Sequence, residues 1–288
     1  MIFGLERETR FDLRFHLFGT PIRVTPWFWM TSTFFGWSTL DMGIEYLLLW
    51  VGCVFISILM HEFGHIWMGR LFGSHGEIVL QGMCGLAMGS GGQHQRWKRV
   101  LVSLAGPGIQ FAFVATLLFL LRTFGHGKPM PGLGGDNWID RIEFWMDWHS
   151  TQFSWPKHIQ FVLLVLIKIN LYWAIFNLFP VWPLDGGQVN REFLTWIAPR
   201  NGVRSSLAIS ITVAVILCVN AILPRIGGPE IPYLPRGGFL FVMMFAMLAI
   251  QSFQLLQVEN SRHIGSWRDA DDEARLPWEN DPDDWKNR

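Results

Sequence analysis

The sequence predicts an all-α polytopic membrane protein with about six transmembrane helices and small membrane-associated β segments. Three observations carry this. Half of the 288 residues are hydrophobic and only 16% are charged, where an average soluble domain has nearer 25% charged residues. The apolar residues are gathered into runs long enough to cross a bilayer, for which about 20 are needed. Lysine and arginine are spread unevenly between the segments that separate those runs. The same figures exclude other classes. A formal net charge of zero does not suit a nucleic-acid partner, which calls for a basic surface. The 16 Trp and 24 Phe do not suit a disordered chain. Cys53, Cys84 and Cys218 are too few and too scattered for a disulfide framework or a metal cluster.

Taken in order, residues 1–15 are charged throughout and have no apolar core segment, so no cleavable leader is expected. Residues 10–25 alternate apolar and polar, the period of a strand. Residues 26–40 form the shortest apolar segment, a sixth span or a re-entrant piece. Tyr46–Met60 is uncharged and continues at helical spacing to Met68. Residues 73–92 hold strand-like pieces cut by glycine. Val100–Leu121 has no charge, and Ile159–Phe179 has one, Lys168. Between them lie a Gly/Pro loop at 125–136 and an interfacial segment with Trp138, Trp145, Trp148 and Trp155. Residues 207–223 and 239–258 are the last two spans. With no water in the bilayer core to satisfy the backbone, such runs are helices. Residues 1–258 therefore read as one membrane domain, and 259–288, with nine acidic and five basic residues, as a flexible cytoplasmic tail.

The loops orient the chain. Segments 1–25, 69–99, 181–206 and 259–288 contain sixteen Lys and Arg, and the opposite loops contain six. The excess marks the cytoplasmic side. A multi-pass protein of the cell's inner or plasma membrane is expected, with both termini in the cytoplasm.

Within the second span stands His61-Glu62-Phe63-Gly64-His65. Residues i and i+4 share a helix face, so both imidazoles can reach one ion, and neutral imidazole suits zinc. Glu62 is turned about 100° away and can take a proton from water held beside the ion. Ionisable groups inside a span are costly and mark function by default. A catalytic zinc takes a third protein ligand and keeps one position open. Asp185, in the stretch Asn177–Gly187 (NLFPVWPLDGG), is the candidate, and Gly186 and Gly187 would let the backbone bend away. An Asp-Gly pair is also a common turn. Spans two and four run in the same direction by the charge count, which puts His61, His65 and Asp185 at comparable depth. The other acidic candidates for a third ligand are Glu77 and Glu192, and a metal-binding scaffold or transporter is the non-enzymatic alternative.

HEFGH in one span followed by NLFPVWPLDGG in a later one, with the zinc site expected between helices two and four, resembles the site-2 protease family of intramembrane zinc metalloproteases. Ser103–Phe111 (SLAGPGIQF) is similar to the family's AGP segment; the family often has an Asn a few residues after that Pro, and here Gln110 stands nearby, with no role carried over to it. The resemblance implies one zinc per chain held by His61, His65 and Asp185. It also implies Glu62 as acid/base and a supporting role for Asn177 near the substrate, with Gly186 and Gly187 beside it. The implied substrate is a membrane protein cut in or near a transmembrane segment, in regulated proteolysis, within the lipid bilayer and without nucleic acid. Only 119 residues separate His65 from Asp185, and the tail is short, so a compact member without a PDZ or C-terminal sensor domain is expected. Residues 76–90 either present a strand edge to the opened substrate or merely connect two spans.

Overall fold

The computed structural model describes residues 9–82, 84–88, 95–124, 156–223 and 239–274. The Gly/Pro loop 125–136, the four tryptophans of 138–155 and the end of the acidic tail lie outside these residues. The chain runs β1 (Leu13–Leu17), β2 (Thr20–Val24), α1 (Pro26–Phe35), a 3₁₀ helix (Trp37–Met42) and α2 (Ile44–Leu71). It continues through β3 (Glu77–Gln81), β4 (Cys84–Met88), α3 (Arg96–Phe124), α4 (Lys157–Asn177), α5 (Asp185–Ile197), α6 (Gly202–Ile222) and α7 (Phe239–Ala274). Five helices, α2, α3, α4, α6 and α7, are long and apolar enough to cross a bilayer. The protein is an integral membrane protein.

The sixth expected span is a broken one. Pro26 starts α1 and the helix stops after ten residues at Gly36, where the 3₁₀ helix begins. A Cβ at Gly36 would lie 2.2 Å from the Trp50 ring, so the chain passes tightly over α2 at this point. The sheet fixes where this segment begins. β2 pairs in parallel with β3, Ile22 facing Ile78 and Val24 facing Leu80, which holds the N-terminal hairpin beside the segment that follows α2. The chain must then return along α2 to reach its start at Ile44. Phe28 and Trp29 lie against Phe55, near the middle of α2, so α1 starts well inside the bundle. The acidic segment also differs from expectation: α7 continues past Val258 to Ala274. Its Glu, Arg, Asp and Ala residues there include no proline to stop it.

The strand order is β1-β2-β3-β4, with antiparallel outer pairs. This sheet packs on the half of α2 that carries HEFGH. Ile22, Val24, Ile78 and Leu80 share one buried cluster with Val54, Ile58, Phe63 and Ile66. At the hairpin tip, Arg70 of α2 donates to Phe18 O, Gly19 O and Thr20 Oγ1, each at 2.8 Å, while Phe18 stacks edge-on against Phe63. On the other side of the molecule, α6 and α7 enclose the segment before α5. Val181 and Leu184 pack with Ala214, Leu217, Phe245 and Leu248. Ser210 Oγ accepts from the Trp182 N–H at 3.1 Å, and the Ser252 hydroxyl donates to Trp182 O at 3.4 Å. In lipid, helix association rests on close packing and such polar contacts rather than on water exclusion.

Candidate metal centre

His61 and His65 lie in the membrane-spanning helix α2, and Asp185 is the first residue of α5, where a carboxylate suits the positive end of the helix dipole. Their ligand atoms lie within 4.8 Å of one another, and all three residues are buried. His61 Nε2 is 3.1 Å from His65 Nε2 and 3.2 Å from Asp185 Oδ2, and His65 Nε2 is 3.4 Å from Asp185 Oδ1. Ligands placed 2.0–2.1 Å from a tetrahedral zinc are separated by roughly 3.3 Å, so these spacings fit a single ion.

The other ring nitrogens say which lone pairs are available. His65 Nδ1 is 2.7 Å from Val102 O; a carbonyl only accepts, so Nδ1 carries the proton. His61 Nδ1 is 2.9 Å from Gln110 Oε1. Both Nε2 lone pairs in the neutral rings then point at each other and at a carboxylate, an arrangement that repels itself without a cation. Asp185 Oδ2 is buried with no hydrogen-bond partner, a costly state for a carboxylate that a cation relieves. The donor set of two imidazoles and one carboxylate is a catalytic zinc set. The residues present therefore fit the ion that the sequence implies.

Small residues make this convergence possible. A Cβ at Gly64 would lie 2.5 Å from Ala105 O, and one at Gly106 would lie 2.3 Å from His65 Nε2 and 2.8 Å from His61 Cε1. α2 and α3 thus meet backbone to backbone beside the imidazoles. The glycines after Asp185 act differently from the expectation of a bend: neither has a positive φ, and both belong to α5. They permit contact. A Cβ at Gly186 would sit 2.1 Å from Leu178 O and one at Gly187 2.5 Å from Val181 O, which lets α5 fold back on the end of α4 and turn Asp185 inward. α5 is also tied to α3, with Arg99 donating twice to Glu192 at 2.7 and 2.6 Å. Asp185 is thus brought in by a separate short helix, between α4 and α6, rather than by the fourth span itself.

Glu62 is buried, 4% exposed, next to His61. Asn177 ends α4, 7% exposed, and its amide donates to Trp173 O at 2.9 Å. Neither alternative third ligand joins the group: Glu77 is exposed at the start of β3, and Glu192 is held by Arg99. Gln110, given no role by the sequence, is fully buried against His61. Its signal was a polar residue four positions after Gly106, on the same face of an otherwise uncharged run.

A model of Peptidase family M50 matches residues 50–221. A zinc metalloprotease of Methanocaldococcus jannaschii is 25% identical over 186 residues, covering 63% of this chain and 44% of that protein. The chain therefore spans less than half the length of that curated relative. Among solved structures, the site-2 protease from Methanocaldococcus jannaschii superposes with a TM-score of 0.54 at 20% identity, covering 84% of this chain and 94% of that one; this likeness is one of fold.

Proposed function

Because the chain belongs to Peptidase family M50, the zinc metalloproteases of the site-2 type, we propose that it is an intramembrane zinc endopeptidase, with one zinc per chain on His61, His65 and Asp185. The observation that carries the reading is the convergence of three buried ligand atoms from α2 and α5 within 4.8 Å, inside a membrane-spanning bundle. The substrate is a membrane-anchored protein cut in or near its transmembrane segment, as in regulated proteolysis. The loop charges put the termini and the centre toward the cytoplasm of the inner or plasma membrane.

Zinc, when bound, supplies Lewis acidity and makes water nucleophilic near neutral pH. Glu62 takes a proton from the attacking water as the C–O bond forms and returns it to the amine nitrogen as the C–N bond breaks. Asn177, at the end of α4, offers amide hydrogen bonding to the bound chain, while Gly186 and Gly187 keep Asp185 in place. The bilayer and the packed helices exclude bulk water.

A transmembrane substrate must unwind before its carbonyls can be reached. β4 is an edge of the sheet and suits strand addition of the opened peptide. Leu80 lies in the sheet interior and is fully buried, so a proline there would disrupt the fold. Leu86 and Ala87 in β4 give the useful test, because successive N–H groups alternate between the two edges. Proline at one of them removes an outward N–H. That variant is expected to lose about tenfold or more in cleavage with its zinc retained; unchanged cleavage in both variants removes the edge from the mechanism.

The ligand assignment is tested by zinc content and cleavage of the purified full chain. Asp185→Ala is expected to lose the metal and activity together, while Glu192→Ala keeps its zinc. The reverse pattern would transfer the third ligand to Glu192.

A further inference from the structure

His61 is one of four residues in a run of side-chain hydrogen bonds that crosses three helices and is closed into a ring by the α2 backbone between Ser57 and His61. His61 on α2 faces Gln110 on α3 at 2.9 Å. The Gln110 amide nitrogen donates to Asn170 Oδ1 on α4 at 3.1 Å and, more weakly, to Ser57 O at 3.4 Å. The Asn170 amide nitrogen donates to Ser57 Oγ at 2.9 Å and to Leu166 O at 2.8 Å. Ser57 is one helical turn before His61, so the ring returns to the helix it left. Gln110, Asn170 and Ser57 are all 0% exposed.

The ring has a direction set by backbone. Leu166 O and Ser57 O can only accept. Leu166 O therefore fixes which end of the Asn170 amide carries hydrogens, and Asn170 Oδ1 is left facing Gln110. That in turn commits the Gln110 nitrogen to Asn170 and Ser57, and turns Gln110 Oε1 to His61. Facing an acceptor, His61 must be protonated at Nδ1, which leaves the lone pair on Nε2, the atom at the metal centre. All four amide hydrogens of the two side chains are used, and reversing either amide would set like groups against each other.

We infer that Asn170 and Gln110 are positioning residues for the metal centre, which together lock the tautomer and ring orientation of His61, Asn170 acting through Gln110. This rests on His61 being a zinc ligand. Outer partners of metal-bound histidine commonly act in this way, and their loss costs about 10–100-fold in metal affinity. A competing account makes the same groups simple interhelical glue, which lowers stability and leaves affinity alone.

The test is zinc affinity of the detergent-solubilised full chain, measured by competition with a chelator, alongside the melting temperature of the metal-free protein. Gln110→Leu is expected to weaken zinc binding 10–100-fold. Gln110→Glu, which keeps an acceptor for the His61 N–H but loses the donor to Asn170 Oδ1 and Ser57 O, should bind zinc more tightly than Gln110→Leu. Asn170→Leu should weaken binding by about tenfold, and the double variant Gln110→Leu/Asn170→Leu should be no weaker than Gln110→Leu alone, since one acts through the other. Substituted cobalt should show an altered visible spectrum in Gln110→Leu and a smaller change in Gln110→Glu. Additive losses in the double variant, or melting temperatures that fall while affinity is unchanged, overturn the inference. Asp185→Ala in the same assay separates the two layers. If it binds zinc normally, the ligand assignment itself fails; if it loses zinc while Gln110→Leu does not, only the ring's role fails. Should Gln110→Leu not fold, Asn170→Leu still decides the matter.

Discussion

Glu62→Gln is expected to retain its zinc and to lose at least 10²-fold, and as much as 10⁴-fold, in cleavage. The substitution preserves shape and a hydrogen-bonding oxygen in a position that is only 4% exposed, so packing changes little. It removes the one property that the reaction asks of this residue, the capacity to accept a proton from water and give it to nitrogen. The metal is unaffected because the three converging ligand atoms belong to His61, His65 and Asp185. The measurement is cleavage of a single-span substrate in vesicles, with metal content determined on the same preparation. Wild-type turnover in Glu62→Gln would end the acid/base assignment. Loss of zinc in this variant would instead show that Glu62 helps to hold the metal.

A second large effect is expected from a single methyl group. Gly106→Ala places a Cβ 2.3 Å from His65 Nε2 and 2.5 Å from His65 Cε1, well inside van der Waals contact. His65 has little room to retreat, because its other nitrogen is held at 2.7 Å by Val102 O and Gly64 on the same helix already rests against Ala105. The ring must tilt or α2 and α3 must separate, which costs roughly 1–3 kcal/mol. Zinc affinity is expected to fall by roughly 5- to 140-fold, since each 1.4 kcal/mol is a factor of ten, and cleavage with it. Gly108→Ala on the same helix is the control. Nothing lies within 4 Å of a Cβ there, and alanine is the better helix former by about 1 kcal/mol, so stability should hold or rise. Equal effects at the two positions would mean that α3 tolerates no alanine in general, and the specific argument would fail.

Much of this was legible in the residues alone. The five long runs became five long helices because an apolar stretch of that length has no other stable form in lipid. The two imidazoles four residues apart and the carboxylate of Asp185 met because periodicity and topology are local and directional properties. The first apolar segment was less legible. Residues 26–40 are apolar enough to enter the membrane, but the break at Gly36 follows from the close passage of Trp50, a tertiary contact. The glycines after Asp185 suggested a turn, and their real service is to admit neighbouring backbone, which depends on where α4 and the 178–184 segment lie. Gln110 and Asn170 were in plain view as polar residues in apolar runs. Their partners are 49 and 60 residues apart in sequence, and no spacing rule connects them. The extension of α7 to Ala274 was missed for the opposite reason: charge suggested a loose tail, whereas the residues themselves are compatible with helix.

The placement of Asp185 on α5 has a consequence for how the protein comes into being. The imidazole pair emerges from the ribosome 119 residues before the carboxylate, a delay of roughly 6–24 seconds at 5–20 residues per second. During that interval the nascent chain holds only two of three donors, on a helix whose companions are still being threaded into the bilayer. A half-made molecule therefore lacks the complete donor set, which closes only when Asp185 docks from α5.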